Sequence, residues 1–129
     1  MKIIISLLLV LFLVPVAFGQ KEKEKNIRYI LIEAPCKPGF NALPESKEKV
    51  ILTKVFKMEF ETPFEMVNAE PQLVVDFEVA LEKEYPNSRN QIKDILVYML
   101  NTEKEAKELY NRKIKQFKTL DTGVIELKI

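Results

Sequence analysis

Alternation of apolar and polar residues divides the chain beyond residue 26 into six regular segments. The pattern predicts strands over residues 27–34, 49–61, 94–100 and 124–129, and helices over residues 70–85 and 103–118. The order β-β-α-β-α-β indicates one small α+β domain over residues 27–129. We expect a mixed four-stranded sheet with both helices packed on one face. A right-handed crossover in the second half would place the last strand parallel to the central one.

The first two predicted strands distribute their apolar residues differently. Ile30, Leu31 and Ile32 are consecutive, which suits a strand covered on both faces or lying deep in the sheet. Residues 49–61 alternate instead, which is typical of a half-buried antiparallel strand with one wet face. The apolar face of that strand comprises Val50, Leu52, Phe56, Met58 and Phe60, with Lys54 as the exception. Its aromatic half is either a ligand-binding ladder or, more simply, core.

Residues 94–117 are predicted to be the stretch around which the domain is organised. We interpret residues 94–100 as the central strand, but the same region also fits a helix over residues 89–100. The residues with helical spacing are Ile92, Ile95, Leu96, Met99 and Leu100. Thr102 and Glu105 form a capping box that starts the next helix and requires a break before it. That break favours the strand.

The cysteine and histidine counts exclude several chemistries. The chain has one cysteine and no histidine, which removes Ser-His-Asp and Cys-His catalysis, most zinc sites and any internal disulfide. Cys36 and Lys37 lie in a predicted loop over residues 35–46, where the lysine would lower the pKa of the thiol modestly. Cys36 is therefore a reactive thiol, a disulfide link between two copies, or a small, partly buried side chain at a strand end.

The first nineteen residues have the pattern of a secretory signal peptide. Lys2 precedes an apolar run over residues 3–14, and Ala17 and Gly19 place small residues at a cleavage site before Gln20. The alternative is a membrane anchor, but residues 3–18 are shorter than the roughly twenty residues that a spanning helix needs. We expect a secreted or periplasmic protein with no stable membrane insertion after cleavage. The alternating charges of residues 20–26 predict a disordered leader.

Charge and glycine content narrow the partners further. Cleavage would remove Lys2 and no acid, so the chain of 20 basic and 19 acidic residues becomes neutral, with 20 − 1 = 19 of each. A neutral chain has no long-range field to attract nucleic acid. Three glycines cannot build a phosphate-binding loop. Glu59, Glu61 and Glu65 form an acidic cluster that is better explained as a solvated face than as a glycosidase or calcium site. We expect no cofactor and no metal.

By exclusion, the sequence predicts a non-enzymatic binding module of the cell envelope or extracellular space, whose partner is a protein or peptide. The candidate contact residues are Cys36 and Lys37 in the loop, and Thr53, Lys57 and Glu59 on the wet face of the second strand. A homodimer linked through Cys36 is a related expectation. The alternatives are a small secreted enzyme that uses surface carboxylates or Cys36, and a purely structural envelope component. With both helices on one face, the open face or an edge of the sheet would be the place to bind a partner.

Overall fold

The order of elements confirms the α+β fold. The computed structural model describes residues 26–40 and 48–129. Its strands are β1 (Ile27–Pro35), β2 (Lys49–Thr53), β3 (Phe56–Glu59), β4 (Leu96–Leu100) and β5 (Gly123–Leu127), and its helices are α1 (Pro63–Val67), α2 (Glu70–Glu84) and α3 (Glu103–Thr119). The predicted signal peptide, nearly all of the predicted leader, and residues 41–46 of the predicted loop lie outside the described residues.

β1 is the central strand of a mixed, curled sheet. β4 pairs with one side of β1, β2 and β3 pair with the other side, and all three are antiparallel to it. β5 is parallel to β2 and lies beyond it. Residues 96–100 are therefore a strand, as predicted, but an edge strand instead of the central one. β5 runs in the same direction as β4, with β1 and β2 between them.

The two long helices lie on opposite faces of the sheet, which corrects the expectation that both would share one face. Phe77 of α2 packs in a buried cluster with Ile32 of β1. Lys113 of α3 reaches the next residue along β1, Glu33, with 2.9 Å between Nζ and Oε1. Successive strand residues point to opposite faces. We call the two sides the α2 face and the α3 face.

The apolar run in β1 explains both its central position and its cover on two faces. Ile30, Leu31 and Ile32 are each 0% exposed. Because their side chains alternate, a sheet with one bare face would leave Leu31 in water, which costs about 1.5–3 kcal/mol relative to burial. A strand that is apolar on both sides is stable only beneath helices on both sides.

The predicted second strand is in fact two strands separated by a β-bulge. Glu33 of β1 pairs with Leu52, and Ile30 pairs with Phe56. Three steps along β1 therefore match four steps along its partner, so one extra residue falls between β2 and β3, at residues 54–55. A bulge of this kind bends the strand and re-aims the side chains that follow it.

The bulge reverses which residues face α2. Before it, Ile51 belongs to the buried cluster beneath α2, whereas after it Phe56, Met58 and Phe60 pack there. The core position predicted for these last three residues is confirmed. The single apolar face predicted for residues 49–61 is wrong, because Leu52 lies on the α3 face.

Side-chain caps account for two of the helix starts. The Thr102 hydroxyl accepts a hydrogen bond from the Glu105 N–H at 3.2 Å, as the capping box predicts, and Thr62 begins α1 in the same way. Asn68, which follows α1, donates its side-chain amide to the Phe64 carbonyl and so caps the carboxyl end of that helix. Within residues 26–40 and 48–129, no helix has the length and apolar character needed to cross a membrane.

Candidate functional site

Cys36 is buried at the end of β1. Its side chain is 4% exposed, and its thiol donates to the Ala34 carbonyl with 3.7 Å between sulfur and oxygen. Burial raises the pKa of the thiol to about 11, against smaller opposing effects that include Lys49 and Lys93. The sulfur therefore stays protonated at neutral pH. An intermolecular disulfide would require this end of β1 to open.

Thr53 is a structural residue of the bulge. It is 1% exposed, and its hydroxyl accepts a hydrogen bond from the Ile32 N–H at 2.9 Å. The bulge interrupts the regular pairing opposite Ile32, and the Thr53 side chain supplies an acceptor there. Thr53 is therefore unavailable to a partner in solution.

The remaining candidates, Lys37, Lys57 and Glu59, are exposed. The Lys37 backbone N–H donates to the Gln91 carbonyl at 2.7 Å, which places Lys37 beside the chain leading into β4. Lys57 and Glu59 form an ion pair of 3.2 Å on β3. An exposed ion pair of this kind contributes little to stability. The five candidates therefore do not share one surface.

The acidic residues Glu59, Glu61 and Glu65 do not assemble a metal site. Glu65 turns back along the chain, and one of its carboxylate oxygens accepts the Glu61 N–H at 3.3 Å. Within the part of the chain that the structure describes, no three histidine, cysteine, aspartate or glutamate side chains are grouped so that they could hold a metal ion.

A buried ion pair connects α3 to the centre of the sheet. Glu33 is 6% exposed, and its Oε1 contacts Nζ of Lys113 at 2.9 Å, with no further hydrogen bond to that oxygen from residues 26–40 or 48–129. The same ammonium lies 5.2 Å from the ring centroid of Tyr98 in β4, within the range of a cation–π contact. Burial lowers the pKa of Lys113, but hydrogen bonds to Glu33 and Tyr98 outweigh it and raise the pKa overall. A lysine held in the charged form is an anchor and not a general base.

Backbone hydrogen bonds show which way each residue of β1 is oriented. The Lys93 N–H donates to the Pro35 carbonyl at 2.8 Å, on the β4 side. The Ile32 N–H donates to Thr53, on the β2 side. In an antiparallel strand the N–H and C=O of one residue point to the same side, and neighbouring residues alternate. The odd-numbered residues of β1 therefore bond toward β4.

This orientation identifies the outward-pointing backbone of β4. Leu31 pairs with Tyr98, so Tyr98 directs its N–H and C=O to β1. Val97 and Met99, on either side of Tyr98, direct theirs away from β1. No strand among residues 26–40 and 48–129 pairs with that outer side.

The edge of β4 remains partly accessible although helices cover both faces of the sheet. All five residues of β4 are partly exposed, whereas residues 30–32 of the neighbouring β1 are fully buried. β4 is therefore less completely covered than the strand beside it. The sequence LVYML also carries no charge there. This edge is the best candidate interaction surface in the described chain.

The candidate edge could not be found from the sequence, because strand order decides which strand lies outside. The available signal was the uncharged run over residues 95–100, and it is equally consistent with a central strand. No family model, curated protein or solved structure matches this chain. Its function is therefore inferred from its own geometry.

Proposed function

We propose that this protein is an exported, non-enzymatic binding module that captures an extended segment of a protein or peptide along the outer edge of β4. The observation that carries the proposal is the outward orientation of the backbone groups of Val97 and Met99 on an edge that no described strand covers. Together these residues offer two N–H donors and two C=O acceptors. An added strand would satisfy all of them.

Strand addition would extend the sheet without rearranging the domain. Main-chain hydrogen bonds supply the affinity in this mode of recognition, and alternate side chains of the added strand supply specificity. Successive side chains of the added strand would point alternately toward the α2 face and the α3 face. An extended, uncharged segment rich in β-branched or aromatic residues fits best beside LVYML.

Export is proposed from the amino-terminal sequence. Lys2, the apolar run that follows it and the small residues before Gln20 support cleavage between Gly19 and Gln20. Mass spectrometry of the protein recovered from the periplasm or medium should give a chain that begins at Gln20. A chain that retains Met1 in that fraction would contradict cleavage.

The enzymatic alternative gains no support from the geometry at Cys36. A nucleophilic cysteine is expected to have a lowered pKa and an accessible sulfur, but burial gives Cys36 the opposite properties. The structural alternative, an envelope component without a specific partner, makes a different prediction: no ligand should depend on the β4 edge.

Proline at Val97 tests strand addition directly. Val97→Pro removes one outward N–H and leaves the bonds between β4 and β1 in place, because proline is tolerated where the N–H of an edge strand faces solvent. Val97→Ala is the matched control, since it shortens the same side chain and keeps the N–H. A displayed random-peptide library selected on the wild-type protein should yield peptides that bind wild type and Val97→Ala, and that lose binding to Val97→Pro.

Two results would count against the proposal. One is a set of selected peptides that bind Val97→Pro as well as wild type. The other is a set that depends on Lys57 or Glu59 of β3 and not on Val97. Circular dichroism of each variant checks that a loss of binding does not come from unfolding.

A further inference from the structure

A cavity of about 290 Å³ lies between the bulge and α3. Its lining residues are Lys54, Val55, Lys107, Tyr110 and Asn111. The first two belong to the bulge, where the extra residue separates β2 from β3. The last three are spaced i, i+3, i+4 on α3 and so share one helix face. β1 separates this cavity from β4, so it is independent of the edge proposed above.

We propose that this cavity is a binding site for a small organic anion, a carboxylate on a short aromatic or aliphatic body. Val55 and Tyr110 are partly buried and provide apolar surface. Lys54 and Lys107 provide two ammonium groups at the same cavity. An apolar surface with a few convergent polar groups is the usual composition of a small-molecule site.

The lysines keep donors available for a ligand. Lys54 pairs with Glu126 at 3.5 Å, and both side chains are well exposed. Lys107 pairs with Glu103, and hydrogen bonding to Lys107 lowers the pKa of the Glu103 carboxyl. An ammonium group has three donors, so one carboxylate does not saturate it. Exposed ion pairs are also weak enough to be exchanged or shared.

Cavity size and chemistry favour a monocarboxylate over a nucleotide or a polyphosphate. A volume of about 290 Å³ is just below the roughly 300–1,000 Å³ typical of ligand sites. The lining has two separate lysines and no arginine, whose planar fork is suited to bidentate phosphate recognition. Asn111 adds an amide that can both donate to and accept from a ligand.

The test uses phenylacetate as the probe and phenylacetamide as its uncharged counterpart. NMR titration of the full chain should show phenylacetate shifting the signals of Val55, Tyr110 and Asn111, with phenylacetamide binding at least about tenfold more weakly. The double variant Lys54→Gln/Lys107→Gln should weaken phenylacetate binding by at least about tenfold. Lys83→Gln is the matched control, because Lys83 is an exposed lysine of α2, on the opposite face of the sheet from the cavity, and it should leave the affinity unchanged.

Three results would overturn the proposal: equal binding of the two probes, shifts confined to other parts of the domain, or an equal loss of affinity in Lys83→Gln. Val97→Pro should leave phenylacetate binding intact. The cavity and the β4 edge can therefore fail separately.

Discussion

The two edges of the sheet differ in charge: one carries charged side chains and the other does not. On one side, β5 carries Glu126, which is paired with Lys54 of the bulge, and β3 carries the pair Lys57–Glu59. On the other side, β4 has no charged residue over its length. Charges on an edge strand discourage pairing with other chains. The β5–β3 side therefore has the usual protection, and β4 does not.

The difference between the two edges is informative because α2 and α3 lie over the faces of the sheet and do not explain why only one edge carries charges. The apolar side chains of β4 serve the core beneath α2 and α3, but its outward backbone would still benefit from a nearby charge, a proline or a bulge as protection. A bulge is present on the opposite side of β1, between β2 and β3, and β4 itself pairs with β1 in continuous register. An edge without such protection is the form expected of a strand that receives a partner.

We expect the largest loss of stability when the Glu33–Lys113 ion pair, which connects α3 to β1, is broken. Lys113→Met leaves the Glu33 carboxylate buried and unpaired, which should cost about 3–5 kcal/mol in the free energy of unfolding. The double variant Glu33→Leu/Lys113→Met should recover most of that loss, because no isolated charge remains. Urea denaturation measures both. If the double variant is as unstable as Lys113→Met, the ion pair stabilises the fold by more than avoiding an unpaired buried charge.

Proline substitution at neighbouring positions separates the inner and outer sides of β4. Tyr98→Pro removes an N–H that bonds to β1, whereas Val97→Pro removes one that points outward. We expect Tyr98→Pro to lower the free energy of unfolding by about 1–3 kcal/mol more than Val97→Pro. Thermal or urea denaturation of the two variants gives the difference. Equal destabilisation would mean that the assigned orientation of the β4 backbone is wrong.

The bulge offers the corresponding test on the protected side. Thr53→Val keeps the shape of the side chain but leaves the buried Ile32 N–H without its acceptor. The expected cost is about 1–3 kcal/mol, with Thr53→Ser as the control that retains the hydroxyl. Urea denaturation measures it. A Thr53→Val variant as stable as the wild type would show that the hydrogen bond to the Ile32 N–H does not support the bulge.

Cys36 should have the smallest effect near neutral pH. Its raised pKa means that the native state favours the neutral thiol, so stability from this group is present below about pH 9 and declines as the pH rises toward 11. Cys36→Ala should remove that alkaline decline. Labelling of the thiol by a disulfide reagent at pH 8 should be slow in the native protein and fast in urea. Rapid native labelling, or a dimer that reductant dissociates, would favour the link through Cys36.

Local patterns in the sequence predicted individual helices and strands. They did not predict contacts between segments that are far apart in the chain. Thr102 and Glu105 predicted the start of α3 because a cap involves only neighbouring residues. The bulge at residues 54–55 escaped because inserting one residue leaves an alternating pattern on each side of it. The buried ion pair of Glu33 was not predicted because its partner, Lys113, is eighty residues away in the sequence.

Sheet order explains the other misses. The apolar run over residues 95–100 indicated a strand but could not show whether that strand lay inside the sheet or at its edge. The consecutive residues Ile30, Leu31 and Ile32 already suited burial on both faces, and they were the better indication of the centre. The expectation of a wet face with Thr53 followed from the alternation over residues 49–61, which placed Thr53 opposite the apolar residues.

Residue-resolved amide hydrogen exchange of the free protein tests the central claim most directly. If the outer edge of β4 is open, the amides of Leu96, Tyr98 and Leu100 should be protected by β1, and those of Val97 and Met99 should exchange rapidly. Addition of a peptide that binds the edge should then protect Val97 and Met99. Protection of Val97 and Met99 equal to that of Tyr98 in the free protein would show that the edge is already covered, and would contradict the proposed mode of binding.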